Sequence, residues 1–158
     1  MENRKTIPFS PPDIGEDEIN EVVDTLRSGW ITTGPKVKKL EKEVANRCGT
    51  NKAVCLNSQT ACAEMTLRVL GIGVGDEVIV PAYTYTASAS VIEHVGATIV
   101  MIDCEKGKFT MDYDKLESAI TEKTKVIIPV DLFGIPCDYE RIFEIVEKKK
   151  GLFRAGEN

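Results

Sequence analysis

A short polar segment, Asn57–Ala61, has the residue types and the position of an anion-binding site. It follows the apolar run Ala53–Leu56, which is typical of a strand buried on both faces, and it begins a stretch with helical character. Backbone N–H groups at a helix N-terminus have no partner inside the helix, and the helix dipole favours negative charge there. The segment therefore predicts a phosphate site, with the alternative that Ser58 or Thr60 only caps the helix.

Two further candidate segments follow later predicted strands. Pro81–Ser88 contains Tyr83 and Tyr85, which cannot both face the core, so one of them is available to stack on a flat ligand ring. Val130–Pro136 places Asp131 directly after a strand. Ligands of open parallel sheets bind beyond the carboxyl ends of the strands, so both segments are expected at the same edge as the phosphate site. The alternatives are a surface tyrosine with its hydroxyl in water, and a simple turn or cap at Asp131.

Other residue patterns that suggest chemistry have simpler interpretations. Gly71–Gly75 has the glycine spacing of a dinucleotide loop, but it follows a helix and leads into a strand, which predicts a return turn instead. The single histidine, His94, is expected on a helix flank beside Glu93 without a functional role. The five cysteines form no C-x-x-C pair, so they predict small buried apolar residues in a reducing compartment and no metal site.

Composition excludes several classes of function. The chain has 158 residues, of which 42% are hydrophobic, and its formal net charge is −5. An acidic balance gives no electrostatic basis for binding nucleic acid or an anionic membrane surface. No apolar run approaches the roughly 20 residues of a membrane span, and Met1–Lys5 does not begin a secretory signal. These observations predict a cytoplasmic globular protein with one core.

The elements that position the candidate segments follow from apolar periodicity. Two amphipathic helices are predicted, from Gly15 to Leu26 and from Pro35 to Gly49. Strands and helices then alternate, with strands at 53–56, 77–80, 98–102 and 125–130 and helices at 58–70, 84–95, 112–120 and 138–150. Alternation of this kind favours an α/β fold with a mostly parallel sheet flanked by helices. We interpret the chain as one segment, with an N-terminal helical arm over 1–50, an alternating region over 51–150 and a divergent tail over 151–158.

Four motifs in order carry a resemblance to a known family. They are Ser28–Pro35 (SGWITTGP), Asn57–Ala61 (NSQTA), Val80–Ser88 (VPAYTYTAS) and Asp131–Pro136 (DLFGIP). Together they resemble the DegT/DnrJ/EryC1/StrS sugar aminotransferases, and the resemblance extends from about Ile7 to about Lys150. It implies part of the large domain of a fold-type I enzyme that uses pyridoxal 5′-phosphate (PLP) and acts on nucleotide-linked keto-sugars.

The resemblance also implies roles for residues that match the motifs. The backbone amides of Thr60 and Ala61, with the Thr60 hydroxyl, are expected to hold the cofactor phosphate, and Ser58 belongs to the same anion site. Tyr85 matches the aromatic residue that stacks on the pyridine ring.

The substrate residues that the resemblance implies are Thr32, Thr33, Gly34 and Asp131. The first three match a loop that closes near the sugar, often across a dimer interface. At two positions the chain departs from the family pattern. Gln59 replaces a small residue beside the phosphate, and Asp131 stands where histidine is common.

The resemblance also implies a catalytic lysine, in a Ser-x-x-Lys motif, and an aspartate for the pyridine nitrogen, in an Asp-x-Ala motif, both after the last predicted helix. Neither motif occurs in this sequence. The sequence therefore predicts no catalytic residue of its own and no activity of the chain alone. The resemblance implies as partners a nucleotide-sugar, an amino-acid donor such as glutamate, and either a second copy or a complementary chain. The alternatives are a non-catalytic regulatory or assembly module, half of a split enzyme, or a nucleotide-binding α/β domain.

Overall fold

A computed structural model describes residues 7–8 and 10–149 of the chain, which divides into two compact units, Met1–Cys55 and Leu56–Asn158. The predicted tail, 151–158, lies outside the described residues. The first unit contains helices α1 (Glu16–Ser28) and α2 (Pro35–Cys48). The second contains, in chain order, α3 (Gln59–Val69), β1 (Glu77–Pro81), α4 (Ala87–His94), β2 (Thr98–Ile102), α5 (Tyr113–Ala119), β3 (Thr124–Ile127) and α6 (Tyr139–Lys149).

The first unit is a pair of helices joined by a short loop. Lys36 at the start of α2 forms ion pairs with two carboxylates of α1, Glu21 at 2.6 Å and Asp24 at 2.9 Å. No residue of α1 is buried, and the apolar side chains Val22 and Leu26 are exposed. Within the described chain, α1 therefore presents an amphipathic helix whose apolar face is uncovered.

The second unit is built on a three-stranded parallel sheet in the order β2-β1-β3. In the central strand, Val78 and Val80 face one side and Ile79 faces the other, because successive side chains of a strand alternate. Val78 and Val80 belong to a core with Leu67 of α3 and Val91 of α4. On the opposite face, Ile79 belongs to a core formed with buried residues of α5 and α6, Leu116, Ile142 and Ile145. Helices thus cover both faces of the sheet, which confirms the predicted α/β class.

The first predicted strand is wrong. Ala53–Leu56 forms no strand, and Val54, expected to be buried, is 74% exposed. A strand requires a neighbour to accept and donate its backbone hydrogen bonds, and the described residues provide none. The N–H of Cys55 donates instead to the Glu41 carboxylate at 2.9 Å.

The remaining predicted elements occur with small changes in their bounds. The third helix begins at Gln59 and α4 begins at Ala87, later than its predicted start at residue 84. The predicted return turn is present, since Gly71 and Gly75 both have positive φ and the Gly73 N–H donates to the Asp76 carboxylate at 3.0 Å. Over the residues that are described, no helix is long and apolar enough to cross a membrane.

Candidate functional site

The carboxyl ends of the three parallel strands define one edge of the sheet, which we call the carboxyl edge. Strand β1 leads there into Ala82–Thr86, β2 into the turn before α5, and β3 into residues 128–138. The predicted residues Tyr85 and Asp131 follow β1 and β3 at this edge, because parallel strands all end on the same side.

Ser58 caps α3 through its side chain. Its Oγ accepts a hydrogen bond from the Ala61 N–H at 3.1 Å, and the first intrahelical bond runs from the Cys62 N–H to the Ser58 carbonyl, also at 3.1 Å. The N–H groups of Gln59 and Thr60 therefore precede the helical hydrogen-bond ladder. The capping alternative is confirmed for Ser58. This capping bond uses only the acceptor capacity of the Ser58 hydroxyl. The O–H can still donate a hydrogen bond, because a serine hydroxyl accepts and donates at the same time.

The two tyrosines after β1 have different surroundings. Tyr83 stacks on Phe109 with ring centroids 6.0 Å apart and an angle of 23° between the rings. Tyr85 is 79% exposed, and no ring contact involves it among the described residues. A hydrogen bond between the hydroxyls of Thr84 and Ser88, at 3.1 Å, ties this segment to α4. Tyr85 is thus the tyrosine with a free face, which the predicted stacking role requires.

Asp131 organises the turn after β3. Its Oδ1 accepts hydrogen bonds from the Cys137 N–H at 2.9 Å and from the Tyr139 hydroxyl at 3.0 Å. These two bonds hold the pKa of the Asp131 carboxyl below its usual range. Burial, and then the bond to Asp131, raise the pKa of Tyr139 to about 12. The alternative interpretation of Asp131 as a turn residue is confirmed, and a contact with substrate stays a prediction.

Thr32, Thr33 and Gly34 lie in the first unit, in the loop between α1 and α2. The indole N–H of Trp30 donates to the Thr33 carbonyl at 3.0 Å, and the ring lies against Gly34. A Cβ added to Gly34 would lie only 2.2 Å from Nε1 of Trp30. Glycine is therefore required here for space, since the φ of Gly34 is −157° and any residue adopts that value.

Two ring residues of the carboxyl edge were missed by sequence reasoning. Phe133 packs edge-on against Phe109, with centroids 5.1 Å apart, and Phe109 in turn stacks on Tyr83. Phe109 lies in the turn after β2 and Phe133 in the turn after β3, so only the tertiary fold brings them together. The one local signal was an aromatic residue directly after a strand in the Asp131–Pro136 motif.

The remaining candidate groups are His94 and the five cysteines. His94 contacts the Glu64 carboxylate through Nδ1 at 2.9 Å, which links α4 to α3. That His94 has no functional role stays a prediction. Of the cysteines only Cys137 is buried, and burial raises the pKa of its thiol. The expectation that all five are buried is wrong: Cys48, for example, is exposed because it ends α2 in solvent. Residues 7–8 and 10–149 contain no cluster that could hold a metal ion.

Similarity to known proteins supports the assignment of family. The model of the DegT/DnrJ/EryC1/StrS aminotransferase family matches residues 12–153. The spore coat polysaccharide biosynthesis protein SpsC of Bacillus subtilis is 44% identical over 147 residues, covering 93% of this chain and 38% of SpsC.

Solved structures give the same result. The sugar aminotransferase Spr1654 of Streptococcus pneumoniae, in its PMP form, is 66% identical with a TM-score of 0.88, covering 98% of this chain and 39% of Spr1654. Its PLP form is equally similar. An aminotransferase from Psychrobacter cryohalolentis is 33% identical with a TM-score of 0.81, over 89% of this chain and 36% of its own.

The chain thus spans about 38% of the length of the curated relative SpsC. The family match covers most of the chain and includes the segments that meet at the carboxyl edge. The structural neighbours are fold-type I aminotransferases, so the sheet described above corresponds to part of that fold. The chain belongs to the DegT/DnrJ/EryC1/StrS aminotransferase family.

Proposed function

We propose that this chain is the N-terminal part of a PLP-dependent aminotransferase that acts on nucleotide-linked keto-sugars, in polysaccharide, surface-glycan or amino-sugar synthesis. The observation that carries the proposal is the capped N-terminus of α3, which begins with two N–H groups outside the helical ladder. An amino acid such as glutamate is the proposed donor of the amino group. The proposed location is the cytoplasm.

The start of α3 fits the phosphate of the cofactor. The N–H groups of Gln59 and Thr60 are directed out of the helix N-terminus, where the dipole favours a dianion. We assign the phosphate to these amides, to the Ala61 N–H now bonded to Ser58, and to the hydroxyls of Ser58 and Thr60. These donors are neutral, so the helix terminus supplies the electrostatic attraction.

The ring of the cofactor fits the exposed face of Tyr85. A tyrosine of which 79% is accessible can stack on a flat heteroaromatic ring, and its position after β1 places it at the carboxyl edge. When bound, PLP supplies an electron sink for the bond changes of amino transfer. The role of Tyr85 is to orient the ring and shield one of its faces from water.

We assign the sugar to the loop Thr32–Gly34 and to Asp131. The loop offers two threonine hydroxyls in a shape maintained by the Trp30 indole, whose N–H donates to the Thr33 carbonyl. Asp131 is a carboxylate at neutral pH, and its hydrogen bonds lower its pKa further. Its second oxygen can therefore accept a hydrogen bond from a sugar hydroxyl. The role assigned to both elements is to bind and orient the substrate.

Amino transfer also needs a lysine that bonds covalently to the cofactor and moves a proton, and such a lysine is buried with a lowered pKa. Every lysine between residues 10 and 149 is exposed, and Lys36 has its pKa raised by its bonds to Glu21 and Asp24. We therefore propose that this chain alone does not complete the reaction. The proposed partners are a second copy of this chain, as in a homodimer, and a chain that supplies the lysine. Only the second pairing completes the reaction.

A chimera tests the proposed function. Residues 1–149 are joined to the part of Spr1654 that this chain does not cover, and the product is assayed with PLP, glutamate and nucleotide-linked keto-sugars. We expect retained cofactor absorbance after dialysis and turnover of the keto-sugar. Thr60→Val should weaken PLP binding about tenfold, because it removes one hydrogen bond to a charged group.

Thr66→Val is the matched control. Thr66 lies on the same helix, and its hydroxyl donates back to the Cys62 carbonyl at 2.8 Å, away from the helix N-terminus. Equal loss of PLP in both variants, or a chimera that binds PLP but aminates no keto-sugar, contradicts the proposal. Turnover by the unfused chain that disappears when one of its own lysines is replaced contradicts the proposed inactivity.

A further inference from the structure

We propose that Tyr83, Phe109 and Phe133, here called the aromatic cluster, form a stacking surface for the base of a nucleotide, with Lys106, which lies in the same turn as Phe109, for its phosphates. This inference rests on the proposed function and deepens it, because it assigns the nucleotide part of the substrate to residues that the family motifs leave without a role. The cluster lies in the second unit at the carboxyl edge.

The three rings form a continuous surface. Phe109 is the central ring, near-parallel to Tyr83 at 6.0 Å and perpendicular to Phe133 at 5.1 Å. All three rings are exposed, and Phe133 is 71% accessible. Three aromatic rings that pack together while remaining open to water offer large, rigid faces for another flat ring.

A β-hairpin-like turn after β2 holds Phe109 in place. A bridge pairs Cys104 with Met111, and the Glu105 N–H donates to the Thr110 carbonyl at 3.1 Å. The same turn carries Lys106 and Lys108. Lys108 is neutralised by both oxygens of Glu105, each at 2.9 Å. Lys106 is exposed, and no ion pair of the described residues includes it.

The backbone conformation of Phe133 indicates that its exposed ring has a functional role. Its φ is +57°, in the left-handed region that is unfavourable for a bulky side chain and that concentrates at functional sites. The bonds of Asp131 to the Cys137 N–H and the Tyr139 hydroxyl close the turn in which Phe133 lies. The fold thus keeps a large apolar ring in solvent in a strained conformation.

The combination of rings and a cation matches the chemistry of a nucleotide. A base supplies a flat face for stacking, and its phosphates supply the negative charge for Lys106. A sugar phosphate has no base, so it would interact only with Lys106 and not with the rings. A free aromatic acid carries its negative charge on the ring itself, without the separation between base and phosphates that a nucleotide has. The arrangement therefore favours a nucleoside diphosphate over either.

Binding is tested on the chain alone, without PLP, by saturation-transfer NMR and equilibrium dialysis. The probes are uridine diphosphate and thymidine diphosphate, with ribose 5-phosphate and pyrophosphate as base-free comparisons. We expect the strongest saturation on the base protons, and tighter binding of the nucleotides than of either base-free probe. Phe133→Asn, which suits the left-handed backbone and removes the ring, should weaken nucleotide binding about tenfold.

Phe143→Leu is the matched control, because Phe143 is an exposed ring on α6 that contacts Tyr139 and not the cluster. If Phe133→Asn does not fold, Phe109→Leu is the second test variant, because it also removes one ring of the cluster. Pyrophosphate binding as tightly as the nucleotides, absence of nucleotide binding, or equal loss in Phe143→Leu each overturns the inference. The chimera assay does not depend on these variants. If the chain binds no nucleotide but the chimera turns over the keto-sugar, the inference fails and the proposed function stands.

Discussion

Replacing Gly34 by alanine should displace the Trp30 ring and loosen the loop that we assign to the sugar. A Cβ on Gly34 would lie 2.2 Å from Nε1 and 2.3 Å from Cδ1 of Trp30, where 3.4 Å is the start of ordinary contact. The ring must move, and the hydrogen bond from its N–H to the Thr33 carbonyl is then lost.

The magnitude follows from these two effects. Loss of one hydrogen bond costs about 1 kcal/mol. Overpacking adds about 1 kcal/mol at the low end of its range, because the ring is 57% exposed and can rotate into solvent. The free energy of unfolding should fall by about 1–2 kcal/mol, which moves a urea midpoint by about 0.5–1 M.

Trp30 is the only tryptophan of the chain, so its fluorescence reports this loop directly. We expect Gly34→Ala to show red-shifted emission, stronger acrylamide quenching and the lower midpoint. Thr33→Ala is the control, because it keeps the carbonyl that accepts the indole bond. Wild-type quenching together with a wild-type midpoint in Gly34→Ala would refute the packing of the ring on Gly34.

Four further predictions concern other parts of the chain. Ser58→Ala should lower the free energy of unfolding by about 1 kcal/mol through loss of the α3 cap, measured by urea unfolding followed by circular dichroism, and an unchanged midpoint would contradict the capping bond. Stability should fall between pH 10 and about 12, because the unfolded chain loses the Tyr139 proton near 10 while the folded chain keeps it to about 12. Asp131→Asn should move the tyrosinate titration of Tyr139 only part of the way back toward 10, since burial is the larger cause; a full return or no change would contradict that order of causes. The exposed apolar face of α1 should bind a hydrophobic dye and drive self-association, and Val22→Glu with Leu26→Glu should reduce both, as measured by dye fluorescence and light scattering. A monomer at high concentration that binds no dye would contradict this last prediction.

Local signals predicted most of the helices and strands. The N-terminal proline Pro35 and the cap Asp112 begin their helices as expected, and the apolar run Thr98–Ile102 forms a strand with the predicted bounds. Such features act between neighbours in the chain, so they are readable without the fold. The run Ala53–Leu56 has the same composition as a strand and forms none, because pairing depends on a distant segment.

The candidate site likewise has features that a contiguous stretch of sequence predicts and features that depend on the fold. Order and spacing of the four motifs were enough to identify the family, the capped start of α3 and the aromatic segment after β1, because each is a contiguous stretch with its own local geometry. The residue pattern left open which tyrosine is free, and only the resemblance pointed to Tyr85. The contact that occupies Tyr83 forms with Phe109 only after β1 and β2 pair.

By itself, the sequence determined the family, the α/β class and the position of the capped start of α3, all of which depend on short-range patterns. Only the tertiary structure decided that Asp131 bonds to Cys137 and Tyr139, that Phe109 joins Tyr83 to Phe133, and that the described lysines remain in solvent. The physical reason is that burial and side-chain contact across a parallel sheet arise from residues far apart in the chain. Parallel pairing and the crossovers that it requires bring those residues to one edge.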